Sequence, residues 1–351
     1  MSAPPGPLGK VTVREVASAA GVSIATVSRV LNQPALVQPG KREAVERAMA
    51  ALDYIPNRQA RSLISQRSGS IGLLVPTIAN PLFAPVIGAI ERVLDAAGYA
   101  LLIHCTHRDP ERQHRQVRHL VERGVDGLII TGAPIGPELA ALLRRTGTPV
   151  IVQDALLEPA GAPAVAFDNA GAMAAAVRHL HGRGHRAIAL LSGPVHNTAA
   201  VAERFGGAER EIRALGLELP EAWRVLTADY DNAAVREGAS RLLSCGRLPT
   251  AVACTGDILA LGLVAECQAR GLDVPRDLSV TGCGDTDLGH YVEPALTTVR
   301  LPWDRMGEAA VEGLLALIEG RRADPLTVLP HTLVERRSVL PPRPGPSPKA
   351  S

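Results

Sequence analysis

Residues 12–32, Thr-Val-Arg-Glu-Val-Ala-Ser-Ala-Ala-Gly-Val-Ser-Ile-Ala-Thr-Val-Ser-Arg-Val-Leu-Asn, constrain this chain more than any other stretch. Thr12 with Glu15 three residues on has the spacing of a capping box, which marks a helix start. Val13, Val16, Ala17 and Ala20 then recur at i, i+3, i+4 and i+7, one apolar face of a short helix. Gly21 can take the positive φ that ends such a helix and turns the chain sharply. Ser23 can cap a second helix, in which Val27, Val30 and Leu31 point back at the first. The spacing therefore predicts a helix-turn-helix with Ile24, Ala25, Ser28 and Arg29 on its outer face. Near the N-terminus of the second helix, those side chains can reach base edges in a DNA major groove. Each has a plainer alternative: Ile24 as a buried side chain, Arg29 as a solvated charge.

Charge distribution favours the nucleic-acid reading. Residues 1–68 hold nine Lys/Arg against four Asp/Glu, a net of +5, so the other 283 residues carry −3 of the whole-chain +2. A basic head on a slightly acidic body is what counterion release from phosphates requires. Lys10, Arg14, Lys41, Arg58, Arg61 and Arg67 are the candidate phosphate contacts.

The segment Val-Ser-Ile-Ala-Thr-Val-Ser-Arg-Val-Leu-Asn (22–32), followed by Leu-Asp-Tyr-Ile-Pro-Asn-Arg-Gln-Ala-Arg-Ser-Leu (52–63), resembles the lactose repressor (LacI/GalR) family of bacterial regulators. The likeness continues at Ile-Gly-Leu-Leu-Val-Pro (71–76), Asn-Pro-Leu-Phe (80–83), Val-Asp-Gly-Leu-Ile-Ile (125–130), Gly-His-Arg-Ala-Ile-Ala (184–189) and Pro-Ala-Leu-Thr-Thr-Val-Arg (294–300), nearly the whole chain. It implies a homodimeric repressor on a pseudo-palindromic operator. In the family, paired hinge helices enter the minor groove and a leucine wedges between base pairs. The matching residue here is Leu63, with Ala60 one turn before; its alternative is simple packing on the core. The candidate DNA-contacting set is Thr12, Ser23, Ile24, Ala25, Thr26, Ser28, Arg29 and Asn32 in the head, and Asn57, Arg58, Ala60 and Leu63 in the hinge.

The fold class expected is α/β: a helix-turn-helix head before a two-lobed core, resembling periplasmic binding proteins, of parallel sheets flanked by helices. Residues 1–9, rich in Pro and Gly, read as a disordered lead. The head spans 10–56, with a third helix over about 40–52 closed by Tyr54 and Pro56, and 57–69 form a basic linker too short to be a stable lone helix. From residue 70, short apolar runs at 71–76, 99–104, 126–131, 149–153, 187–192, 251–254 and 278–282 alternate with helical patterns, the mark of βαβ units. The core is expected over 70–340, with lobe 1 from 70–166 and 299–329 and lobe 2 from 167–298 and 330–340. Crossings fall near 165–169, 298–300 and 329–331. Residues 341–351 contain five prolines and no heptad, so they form a disordered tail and a dimer is expected rather than a coiled-coil tetramer.

Ligands of parallel sheets sit outside the carboxyl ends of the strands. The loops there offer Phe83, Asp154, Arg204, Tyr230, Asp257 and Asp285. Carboxylates and a planar guanidinium suit a polyhydroxylated or acidic ligand, and aromatic faces suit its ring. Singly, Asp154 could instead cap a turn and Arg204 pair with Glu203 or Glu209. Many relatives carry Gly-Tyr-Asp-Asp where this chain has Gly282-Cys283-Gly284-Asp285, and Asn-Asp where it has Gly256-Asp257; the Gly193 to Arg204 loop is one residue longer. On this reading Gly284→Asp restores a hydroxyl-binding carboxylate. The resemblance implies a small effector, a sugar or sugar acid, with a nucleobase corepressor or a partner protein as alternatives.

Other classes are disfavoured. Gly282-Cys283-Gly284 lacks the third glycine of a dinucleotide fingerprint, no phosphate loop exists, and no serine sits in a nucleophile elbow. His179, His181 and His185 are broken up by Gly182 and Gly184, and read as hydrogen-bonded surface histidines rather than metal ligands. The five cysteines are dispersed, never Cys-x-x-Cys, and read as buried small residues. No catalytic role, cofactor or metal is therefore expected. No apolar run approaches the roughly 20 residues of a membrane helix, and the N-terminus has no signal-peptide core. A cytoplasmic protein is expected, not an exported solute-binding protein.

Overall fold

The computed structural model describes residues 11–54, 67–132, 135–154, 161–196 and 199–343, with the side chains of Asn32 and Pro34 excepted. The expectations for residues 1–9, the hinge positions Asn57, Arg58, Ala60 and Leu63, and most of the proline-rich tail fall outside them. The chain divides into two compact units, residues 1–68 and 69–351.

The head holds three helices, α1 (Val13–Ala19), α2 (Ile24–Asn32) and α3 (Pro39–Ala51). The capping box is made: Thr12 N donates to Glu15 Oε2 at 2.7 Å and Glu15 N to Thr12 Oγ1 at 3.4 Å. Gly21 sits at φ +63°, where the turn needs a residue without Cβ. Ser23 Oγ accepts from Thr26 N and so caps α2. Val16, Ala17, Val27, Val30, Val45, Ala48 and Tyr54 are buried together. At roughly 1.5–3 kcal/mol per fully buried Val, this small cluster is what holds three short helices that are marginal alone.

The larger unit contains two six-stranded sheets. The first runs β11-β5-β4-β3-β1-β2, where β1 is Ser70–Val75, β2 Ala100–Cys105, β3 Gly127–Thr131, β4 Val150–Gln153, β5 Ala164–Phe167 and β11 Leu326–Leu329. The second runs β12-β10-β9-β8-β6-β7, with β6 at Ile188–Ser192, β7 Arg224–Leu226, β8 Ala251–Cys254, β9 Ser279–Gly284, β10 Thr297–Arg300 and β12 Thr332–Val334. All pairings are parallel except β10 with β12. The seven apolar runs of the sequence are seven of these strands. The other five (β5, β7, β10, β11, β12) were not read from the sequence; all have only three or four residues, a length that β4 and β8 share, and β7, β11 and β12 are also half-exposed. The chain passes from one sheet to the other after Phe167, Arg300 and Leu329.

Many buried polar groups within the lobes are paired, as unmade hydrogen bonds in a core are costly; Thr281 Oγ1 and Trp303 Nε1 are among those that are not. Gln153, at 0% exposure, accepts from Thr131 Oγ1 at 3.0 Å and donates to Met306 O at 3.1 Å, tying β3 and β4 to the Trp303–Ile318 helix. Backbone packs closely where the Ala199–Ala214 helix meets the Asn169–Gly182 helix. A Cβ on Gly207 would lie 2.4 Å from the Ala170 carbonyl oxygen, backbone that cannot swing aside. Gly207→Ala is expected to lower core stability by about 1–3 kcal/mol, read as a fall in Tm; an unchanged Tm means the two helices part freely.

Candidate DNA-reading head and effector cleft

In the head, local capping and the Val27/Val30 stripe fix which side of α2 faces outward. Ile24 is 48% exposed, so it does not belong to the core. Ala25 and Arg29 are exposed and Ser28 is half-exposed. Ser23 and Thr26 share their hydroxyls at 2.9 Å. The outward set at the N-terminal end of α2 is therefore apolar Ile24 and Ala25 followed by polar Ser28 and Arg29, a surface able to contact thymine methyls and base-edge acceptors.

In the larger unit, the loops after β1, β2, β3, β4, β6, β7, β8 and β9 converge on one cavity between the two sheets. Phe83, Asp154, Arg204, Tyr230 and Asp257 line it; Asp285 does not. Its walls are largely apolar, from Pro76, Leu82, Phe83, Val201, Ile258, Leu261 and Leu288. Phe83 stands edge-on to Trp303 with centroids 5.8 Å apart, which fixes its ring.

Arg204, 2% exposed, is the buried cation of the cavity. Its Nε donates to Asn169 Oδ1 at 2.7 Å and its Nη1 reaches Thr255 O at 3.5 Å. Its Nη2 stays 3.9 Å from Asp154 Oδ1 and has no hydrogen-bond partner. The surface pairings open to Arg204 in the sequence are not made: Glu209 binds Arg224 at 2.6 Å instead. Asn169, fully buried, also donates to Asp154 Oδ1 at 3.2 Å. Burial pushes the Asp154 carboxyl above the usual range, against the pull of Arg204 and Asn169. The backbone of Asp154 sits at φ +58°, in the left-handed region.

Asp257 opens the Asp257–Ala269 helix and its oxygens are spoken for. Oδ1 accepts from Thr298 Oγ1 at 2.6 Å, and Oδ2 from the N–H and hydroxyl of Thr286 at 2.6 and 3.1 Å. Burial raises its pKa against those three donors. Tyr230 packs over Gly193, where a Cβ would lie 2.2 Å from the phenol. Burial pushes its phenol up to about 12, so it stays protonated and can donate. The Arg108 guanidinium lies 5.1 Å from the Tyr230 ring centroid and pairs with Asp229 at 3.2 Å.

Several sequence expectations change. Asp285 is held by Arg336 and Arg300 at 2.5 and 2.6 Å; burial would raise its pKa, but those bonds hold it below the usual range. Gly284 sits at φ +133° and its Cβ would be 2.6 Å from Leu82 Cδ1, so Gly284→Asp carries backbone strain and a clash besides its charge. His185 is buried, bonded at 2.9 Å to both Thr250 Oγ1 and Leu340 O, and not a surface histidine. Cys105 and Cys245 are only half-buried, unlike the other three cysteines. The sequence reading missed Arg108 and Asn169. Arg108 follows β2 and was reachable by the rule that ligands meet loops after strands. Nothing local marks Asn169, whose role depends on chain segments far away.

Residues 12–57 match the family model described as bacterial regulatory proteins, lacI family, and residues 177–339 match a periplasmic binding protein-like domain. The HTH-type transcriptional repressor PurR of Pectobacterium carotovorum is 35% identical over 333 residues, covering 93% of this chain and 96% of that protein. The crystal structure of the Lac repressor dimer bound to operator and the anti-inducer ONPF superposes with a TM-score of 0.84 at 31% identity, covering 94% of this chain and 99% of that one. The complex of the transcriptional regulator CelR with cellobiose gives a TM-score of 0.67 at 30% identity, covering 93% and 99%. Capped helix-turn-helix, two-sheet core and full-length likeness agree: the chain belongs to the LacI family of bacterial regulatory proteins and is a DNA-binding transcriptional regulator.

Proposed function

We propose that this regulator is a cytoplasmic homodimeric repressor without catalytic activity, whose grip on a pseudo-palindromic operator is set by a small effector in the cavity between the sheets. The observation that carries this reading is Arg204 Nη2, a buried charged donor in the cavity without a hydrogen-bond partner. Leaving such a donor unmade costs stability, and a ligand oxygen is the natural partner. Solved relatives are described with carbohydrate-type ligands, cellobiose and ribose among them, which supports a sugar or sugar acid. A nucleobase is the second reading, favoured by the apolar and aromatic walls around Phe83 and Tyr230. Two heads related by a two-fold axis read two half-sites, hence the operator symmetry. Among the described residues no helix is long and apolar enough to cross a membrane.

Fluorescence anisotropy of a selected operator, measured with and without sugars, sugar acids and nucleobases, tests the proposal. An effector is expected to change operator affinity by about 5–150-fold, the usual range of allosteric coupling. If compounds bind the cavity but leave operator affinity untouched, the regulatory link is wrong.

A further inference from the structure

Both sheets carry their crossings on one side. β5 and β11 stand at one end of the first sheet, β10 and β12 at one end of the second, and the chain passes between lobes beside them. The opposite edges are β2 and β7. The loops that follow those two far strands touch. Arg108, after β2, donates from Nη1 to Asp229 Oδ1, after β7, at 3.2 Å, and its guanidinium lies 5.1 Å from the Tyr230 ring centroid. Lobes joined at one edge part furthest at the other, so this contact has to break before the cleft opens. Both halves are prepared by their own backbone. His107 and Arg108 sit in succession at φ +53° and +59°, a region that residues with a Cβ hold only where the surroundings fix it. Hydrogen bonds from His107 N to Pro76 O and from Asp109 N to Thr106 O do so here. Asp229 Oδ1 also accepts from Tyr230 N at 2.8 Å, which fixes the carboxylate. The contact stands between two spaces as well. An outer groove lined by the exposed His107, Asp229, Asp231 and Asn232 shares Arg108 and Tyr230 with the cavity as a common wall.

We propose that Arg108, clasped to Asp229 and lying over Tyr230, is a gate: it latches the lobes at the edge opposite their crossings and closes the cavity toward the outer groove. Entry to the cavity then waits on release of the latch. The Asp229 side chain is 57% exposed, so the pair is weak enough to open unaided, as a gate must be. The latch thereby sets the lobe equilibrium that an effector would shift. The assignment deepens the effector reading given above, but its test uses no effector, so either can fail alone.

The test is the rate at which iodoacetamide modifies a thiol inside the cavity of the full chain. Val201 lines the cavity and is 4% exposed, so Val201→Cys supplies the reporter, read by mass spectrometry of its own peptide. Leu261→Cys, on the same wall, serves if that variant does not fold. Asp229→Asn keeps the shape of the latch but removes its charge, and should speed modification about 1.5- to 5-fold. Arg108→Gln loses the ring contact too and should speed it about 3- to 30-fold. Raising NaCl from 0.1 to 1 M shortens the screening length to about 3 Å. The added salt should therefore speed modification with the latch intact but not in Asp229→Asn. Arg178→Gln breaks a surface pair with Glu211 inside the second lobe and should leave the rate unchanged. Equal rates with and without the latch overturn the gate. So does an Arg178→Gln rate as fast as that of Asp229→Asn, since the loosening is then general, or a salt response that survives in Asp229→Asn.

Discussion

Exchanging Ile24 and Ala25 together for another residue pair changes the operator that the full chain selects from random DNA. Both side chains lie on the outward face at the start of α2, and Ile24 is 48% exposed although it is a large aliphatic residue. An apolar side chain left in water at the position where a recognition helix meets bases has a contact to gain from a thymine methyl. Each mismatched base pair costs about 1–3 kcal/mol, and a two-fold dimer doubles the effect. The old operator should therefore lose roughly two to four orders of magnitude in affinity while a new consensus emerges. Val27 provides the contrast, being fully buried in the head cluster. Val27→Ala should loosen the head through a core cavity and weaken every sequence alike. The same consensus from the exchanged protein and the parent would remove Ile24 and Ala25 from the readout.

Arg204→Met should abolish the response to effector. Methionine keeps much of the arginine's length but no donor, so the unpartnered Nη2 is lost along with the bond to Asn169. A hydrogen bond to a charged group contributes about 1.5–3 kcal/mol, which is roughly a 10–150-fold loss of effector affinity. Stability carries a second signature. Asp154 is buried 3.9 Å from this cation, and its carboxyl is already raised by burial. A raised carboxyl contributes its stability below the unfolded pKa and loses it as pH rises through the folded one. Without Arg204 the folded pKa moves further up, so the variant's Tm deficit should grow from acid toward neutral pH. Melting curves across that range, with and without the active compound, check both halves. A variant that keeps the parent's effector shift ends the role assigned to Arg204. A deficit independent of pH separates Asp154 from it.

The head was legible in the sequence because its determinants are local. Thr12 and Glu15 are three residues apart, Ser23 and Thr26 likewise, and the buried stripes recur with the helical period. Such signals survive without knowledge of the rest of the chain. Seven strands were legible for a related reason: each is a mostly apolar run, as parallel strands covered on both faces must be, and six of them are buried along nearly their whole length, the edge strand β2 being the exception. The cavity was only half legible. That Arg204 and Asp154 follow strands could be read from position, but what they touch could not. Arg204 meets Asn169 across 35 residues, and Asp257 meets Thr298 across 41. The same long-range pairing decided against Asp285, whose carboxylate looks like that of Asp257 in sequence yet is held by Arg336 from 51 residues away. It also decided that Gly284 cannot simply become aspartate, since Leu82 from the other lobe fills the space. Sequence determined which elements form, because backbone propensity, capping and hydrophobic period act over a few residues. The tertiary structure alone decided which polar atoms are satisfied and which are left for a ligand, because burial and hydrogen-bond partners come from segments distant in sequence that meet only in the folded core.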